Sequence, residues 1–186
     1  FKTFSRTYPM VTYEIYTGTA DQIKDRMDRG LVDIGLMMEP IDIDKYDFIK
    51  LDVKERWVAL MKPDDPLAEK DSVRAEDLAD KSIIMAKRSN VQNLIVSWMG
   101  DHYKDLNVLF TSNLGTNAAI MVQNDLGYAV VIEGAVPFWD EKYICRRPLE
   151  PEVYTNCVLA WKRQQPFSPA VTKFIEHTKG FFGHEV

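Results

Sequence analysis

TYEIYTGTADQIKDRMDRGLVDIGLMME, residues 12–39, is the stretch from which the fold is read. It opens in alternation. Tyr13 and Ile15, with Val11 and Thr17 beside them, predict an extended, half-buried strand over 11–17. Gly18 breaks the pattern. Thr19 and Gln22 then stand three apart, the spacing of a capping box, in which each side chain accepts a free backbone N–H. Asp21 falls in the first turn and Arg26 and Arg29 in the last, each matching the helix dipole. Ile23 and Met27 give an apolar stripe, and Gly30 stops the helix at the usual C′ position. Leu31 to Met38 is a nearly continuous apolar run, which predicts a strand covered on both faces. The reading is β–turn–α–turn–β, a parallel pair with a right-handed crossover.

The turn Thr17-Gly18-Thr19 draws functional interest. A strand's carboxyl end feeding a helix N-terminus exposes N–H groups and the positive end of a dipole, which suits small anions. In open α/β sheets, ligands sit at such ends. The structural reading of Thr19, that it only caps its helix, is the commoner role for a threonine so placed.

Length and composition bound the rest. A chain of 186 residues holds one domain or two small lobes and can bury a real core. It is 46% hydrophobic and 27% charged, as soluble globular proteins are. A net charge of −5 argues against this chain gripping nucleic acid itself, which requires a basic face. No apolar run approaches the ~20 residues of a membrane span, and no secretory signal is visible. Cys145 and Cys157 cannot build a disulfide framework, and no Cys/His cluster has zinc spacing. The expectation is a cytoplasmic protein with no metal and no cofactor.

Along the chain, Phe1, Phe4 and Tyr8 have helical spacing, ended by Pro9. Strand-like runs follow at 48–53 and 56–61. Lys62-Pro63-Asp64-Asp65-Pro66 is a turn cluster where the rhythm changes, so a lobe boundary is expected there. A short helical turn is expected at 75–78 and a strand at 82–86. Ser89 with Gln92 repeats the capping-box spacing ahead of a helix whose face is Val91, Leu94, Ile95, Trp98 and Met99. Then come a strand at 108–111, the turn 112–116, a helix carrying Ala118, Met121 and Val122, and an apolar strand at 128–132. Residues 153–161 alternate as a strand. Ser168-Pro169 starts a last helix whose buried stripe is Val171, Phe174, Ile175 and Phe182. The arrangement of the opening stretch thus recurs at 108–132, which suggests two α/β lobes of like design. A chain that crosses near 60 and again near 160 makes a hinge, with the cleft between lobes as the default ligand site.

Several of these segments carry a resemblance. FSRTYPMVTYEIYTG, DQIKDRMDRG with LVDIGLM, ERWVALMKPDDPLA, NAAIMVQNDLGYAVV and VLAWKRQQPFSPAVTKFIEHTK follow one another over almost the whole chain. In that order they resemble the effector-binding domain of LysR-type transcriptional regulators. The resemblance implies an α/β, two-lobed fold like the type 2 periplasmic binding proteins, with a hinge and an interlobe cleft. It implies lobe I from 1–60 plus 160–186 and lobe II from 63–157. It also implies a small-molecule effector in the cleft, and antiparallel dimers (a homodimer or tetramer in the full-length protein). The resemblance also implies that DNA is bound only through an N-terminal winged helix-turn-helix, expected to be absent from this chain. The family carries one more strand before the first helix, lying in the sheet between 11–17 and 31–38; upstream residues are expected to supply it, the alternatives being a neighbouring chain or a rearranged lobe with an incomplete pocket.

Carried over position by position, the ligand contacts fall on Thr17, Gly18 and Thr19 in the first lobe. In the second they fall on Arg88, Ser89, Asn113, Leu114, Ile132 and Glu133. Each has a structural reading beside it: Ser89 and Asn113 as helix caps, Ile132 as core, Arg88 as a solvated cation. All lie on turns at strand carboxyl ends. Arg88 and the helix-starting turns favour an organic anion, while Glu133 would select an amine. A solute-binding protein of a transport system shares the fold and is the alternative. An enzyme is not expected: His102, His177 and His184 fall on or beyond outer helices, and Asp64-Asp65 sits in a turn.

Overall fold

The computed structural model describes residues 1–42, 44–136 and 138–183. In chain order the elements are α1 (Lys2–Thr7), α2 (Ala20–Asp28), β1 (Ile34–Met38), β2 (Tyr46–Met61), β3 (Val73–Arg74), α3 (Ala75–Leu78), β4 (Ser82–Ala86), α4 (Ser89–Met99), β5 (Asn107–Ser112), α5 (Gly115–Gln123), β6 (Tyr128–Ile132), β7 (Cys145–Glu150), β8 (Tyr154–Lys162) and α6 (Pro169–Phe181). Short 3₁₀ turns occupy Pro66–Glu69, Gly100–Asp105 and Glu133–Ala135. Hydrogen-bonded neighbours run β1-β8-β2-β6-β4-β5, with β7 on β2 and β3 on β7. The chain forms two compact units, unit 1 from Phe1–Val53 and Asn156–Val186, unit 2 from Lys54–Thr155. Both changeovers fall within strands, β2 and β8.

In unit 1, α2 forms as its sequence dictates. Thr19 is the N-cap; its Oγ1 accepts Gln22 N–H at 3.3 Å while Gln22 Oε1 accepts Thr19 N–H at 2.9 Å, a complete capping box. At the other end Gly30 takes φ +70° and Leu31 N–H reaches Arg26 O at 2.8 Å, which closes the last turn. β8 alternates between two packed faces. Val158 and Ala160 meet Ile23 and Met27 of α2 with Met37 and Tyr46, and Trp161 meets Ile49 and Ile175 on the α6 side. α6 begins as predicted, with Ser168 Oγ accepting Val171 N–H at 3.4 Å and Pro169 at N1.

The parallel β–α–β reading of 12–39 is corrected. Residues 11–19 have no regular structure, and Tyr13, Ile15 and Tyr16 are exposed, Ile15 to 72%. β1 pairs antiparallel with β8, Ile34 opposite Trp161 through Met38 opposite Cys157, and ends the strand order on its other side. It is therefore half-covered, not buried on both faces: Met37 is in the core, while Leu36 is 62% exposed. Alternation defines two faces, but a strand also needs a ladder partner, and 11–17 has none among the described residues. The stretch is held by side chains instead. Tyr13 Oη lies 3.1 Å from Ser5 Oγ, the Phe1 ring meets the Tyr13 ring edge-on at 5.1 Å, and Arg26 stacks over Tyr16 at 3.8 Å.

Unit 2 is built on β4, which runs parallel to β5 on one side and to β6 on the other. β6 pairs antiparallel with β2, Trp57 opposite Ile132 through Leu60 opposite Ala129. The sheet separates two apolar clusters. Trp57, Ala59, Met61, Ile83, Met85 and Val130 face α3 and α4; Val58, Leu60, Ile84, Ala129 and Val131 face α5. This period-2 division is what buried strands covered by helices require. The runs at 48–53 and 56–61 prove to be one 16-residue strand, and β7 was not legible because Arg146-Arg147-Pro148 interrupts its apolar pattern. Gly127 enters β6 at φ +132°, and a Cβ there would lie 2.4 Å from Ser82 O. No helix among the described residues is long and apolar enough to cross a membrane, and both cysteines are free thiols.

Candidate functional site

Three turns at the carboxyl ends of β4, β6 and β5 bring six of the nine candidate residues to one edge of unit 2: Arg88 and Ser89, Asn113 and Leu114, Ile132 and Glu133. The backbone ties the first two turns together, because Lys87 N–H donates to Ser112 O at 2.8 Å. The α5 start also presses on the turn after β6: a Cβ on Gly115 would lie 2.9 Å from Ala135 Cβ. The other three candidates, Thr17, Gly18 and Thr19, form their own turn in unit 1.

The two helix starts in unit 2 differ from that of α2. Arg88, not Ser89, is the N-cap of α4, and no side chain caps it. The expected Ser89–Gln92 box is not formed. The helix begins one residue earlier than the spacing suggested, and Gln92 Nε2 donates instead to Ala86 O at 2.8 Å. Asn113 is likewise not the cap of α5. Leu114 holds that position without a side-chain bond, and Asn113 Oδ1 accepts from Asn117 Nδ2 at 3.2 Å. Two adjacent helices therefore begin with first-turn N–H groups that their own N-cap side chains do not take up, at the positive ends of their dipoles. Such groups hold carboxylates and phosphates well. In unit 1, by contrast, the Thr19 hydroxyl is already engaged, since it accepts from Gln22 N–H and lies 3.2 Å from Gln22 Oε1.

Glu133 is the most constrained candidate. Arg56 grips it with two bonds, Nε to Oε2 at 3.2 Å and Nη2 to Oε1 at 3.3 Å, and Arg146 Nε approaches to 3.7 Å. The paired carboxylate raises the Arg56 pKa further above its ordinary value through the hydrogen bonds to Glu133. Glu55 accepts Gly134 N–H at 3.1 Å. Residues 55 and 56 of β2 thus clamp the turn that follows β6. With both oxygens in a bidentate pair, Glu133 is poorly placed to select an amine, and two arginines offset its charge. Arg56 and Arg146 escaped the sequence reading because nothing local couples 56 to 133; only the β2–β6 register does.

Ile132 is half-buried and packs on the cluster beneath α4, so core and site readings coexist for it. His102 lies in the 3₁₀ turn after α4, and His177 is on α6 with Nε2 2.9 Å from Thr3 Oγ1; His184 lies outside the described residues. Among the described residues no three His, Cys, Asp or Glu side chains are grouped to hold a metal ion.

The family model for the LysR substrate binding domain matches residues 1–182. The chain is similar to the uncharacterized HTH-type transcriptional regulator YvbU of Bacillus subtilis (strain 168), 25% identical over 186 residues, which cover 98% of this chain and 61% of that protein. It thus spans about three-fifths of that relative's length. Among solved structures it is similar in fold to the effector binding domain of QuiR in complex with shikimate, with a TM-score of 0.83, 19% identity, and coverage of 98% of this chain and 88% of that one. It is also similar to the regulatory domain of Synechocystis PCC6803 CcmR in complex with 2-PG, with a TM-score of 0.79, 18% identity, and coverage of 97% and 88%.

Proposed function

Because the chain belongs to the LysR substrate-binding domain family, we propose that it is the effector-sensing part of a cytoplasmic DNA-binding transcription regulator and that its effector is a small organic acid. The observation that carries the acid reading is the pair of neighbouring helix starts, α4 and α5, that no side chain caps. The pairing of Glu133 with Arg56 and Arg146 points the same way, since it offsets the charge of a carboxylate that would otherwise repel an anion there. The proposed contacts form two groups: Thr17, Gly18 and Thr19 in unit 1, and Arg88, Ser89, Asn113, Leu114, Ile132 and Glu133 in unit 2. In the full-length regulator the chain works as a homodimer or tetramer, and DNA is bound by a separate N-terminal domain. The protein is not a catalyst. A regulator is favoured over a transport protein because the relatives it matches are named as transcriptional regulators.

A thermal-shift panel tests this. It sets organic acids, beginning with shikimate and 2-PG, against amines of matched size. The expected result is that at least one acid raises Tm in a concentration-dependent way and no amine does. Stabilisation by amines alone would refute the acid reading. Thr19→Val and Arg88→Met, one variant per group, are each expected to weaken binding of that acid; unchanged affinity in a folded variant removes its residue from the site.

A further inference from the structure

Among the described residues, the buried side-chain polar atom without a hydrogen-bond partner is Nε1 of Trp57, in a residue only 5% exposed. Its place in the fold gives this meaning. Trp57 stands opposite Ile132 in the β2–β6 ladder, at the end of β6 where the chain turns into Glu133. Its neighbour in sequence, Arg56, is the residue that grips Glu133. Trp57 belongs to the cluster that includes Met85 of β4 and Ile95 of α4, with Val91 of the first α4 turn and Ile132 packed against it. The side chain is therefore part of the apolar cluster against which Val91, in the first turn of α4, packs.

Packing alone does not require an indole there. A phenylalanine or leucine fills such a cluster without burying a donor, and a buried donor left unmade is a net cost to the fold. A free N–H at this position can serve an acceptor that arrives from outside the protein. We propose that Trp57 is a specificity-determining residue of the unit-2 site, its indole N–H donating to an oxygen of the bound acid other than the carboxylate held by the helix starts. The inference rests on the acid reading above and narrows it. The helix starts attract any small anion, whereas one directional neutral donor rejects an acid with no oxygen at that point, because the N–H is then buried unmade. The ligand class is a hydroxy-, keto- or di-acid in preference to a plain alkyl or aryl acid.

The test uses pairs of acids that differ by one oxygen: lactate and propionate, salicylate and benzoate, shikimate and its deoxygenated ring analogue cyclohexenecarboxylate. Titrations are followed by Tm in the wild-type chain and in Trp57→Phe. In the wild type, the oxygen-bearing member of at least one pair is expected to bind about tenfold more tightly than its partner. In Trp57→Phe that ratio should fall to about one, through weaker binding of the oxygen-bearing member alone. A ratio that survives in Trp57→Phe overturns the assignment while leaving the acid reading intact; if no acid binds the wild type at all, both fall.

A second measurement does not depend on how well the variant folds. In the wild-type chain with 15N-labelled tryptophan, the Trp57 indole resonance should lie upfield, as befits an N–H with no acceptor. It should move downfield with the same midpoint as the Tm titration. A downfield, hydrogen-bonded resonance before any acid is added would overturn the proposal.

Discussion

At the scale of single residues, Thr19 and Ser89 show how one spacing gives two outcomes. Each is followed three residues later by glutamine, yet only Thr19 forms the capping box. Gln22 turns back to Thr19 N–H, while Gln92 finds Ala86 O at the end of a neighbouring strand. That competing acceptor lies six residues back, at the end of the strand leading into the helix, outside the three-residue spacing that marks a capping box. Thr19→Val is expected to destabilise unit 1 by about 1 kcal/mol, measured by urea denaturation. Tyr46 offers a pH test. Burial first, and then its hydrogen bond to Asp28 Oδ1 at 3.0 Å, push its hydroxyl up to about 12 from an ordinary 10.0. Between those values the unfolded chain has lost the phenol proton and the folded chain keeps it. Stability from this group is therefore complete below pH 10 and is lost as pH rises towards 12. The wild type should lose stability over that window more steeply than Tyr46→Phe, as seen in denaturation midpoints; equal slopes would mean the hydroxyl ionises normally in the fold.

At the scale of elements, those defined by local signals are legible in the sequence, and those defined by a partner are not. α2 and α6 announce themselves through caps and a glycine or proline at fixed positions. The strands β4 and β6 are short apolar runs between turns, and both stand where they were expected. β2 looked like two strands because Asp52, Lys54 and Glu55 interrupt its apolar residues where both its faces are solvated or half-covered. Residues 11–17 are the opposite case, a good strand pattern with no neighbour to bond. Of the site, the three unit-2 turns were legible because strand ends and helix starts are punctuated. The Arg56–Glu133 clamp and the orphan Trp57 donor were not, since each depends on register across the sheet. Amide hydrogen exchange checks the element that failed. Amides of 11–17 are expected to exchange with little protection in this chain, while those of β8 and of β2 from 57 to 60 exchange slowly. Slow exchange across 11–17 would show that the stretch has a ladder partner in solution.

At the scale of the molecule, the two units are not equivalent. Unit 2 is one continuous segment, Lys54–Thr155, whose ends are already joined by Trp57 N–H donating to Val153 O at 2.9 Å. It carries two apolar clusters of its own on the two faces of its sheet. Unit 1 is assembled from two pieces, and its clusters draw on both: Met27 with Val158, and Ile49 with Ile175. A fragment of residues 54–155 is therefore expected to fold alone, with a cooperative melt by circular dichroism. Residues 1–53 alone are expected to stay unfolded until 156–186 is added. A fragment 54–155 without a cooperative transition would mean that unit 2 depends on unit 1.

The discontinuity of unit 1 also sets an order of events during synthesis. At ribosomal speeds of ~5–20 residues per second, the first 53 residues wait about 5–20 s while the intervening segment is made. During that interval Met27, Ile23 and Ile49 have no β8 or α6 to cover them. Unit 2 can close as soon as residue 155 clears the exit tunnel, so the nascent chain passes through a state with one finished half and one open half. The apolar surface left open in that state is that of residues 1–53, and it is covered only when 156–186 emerges.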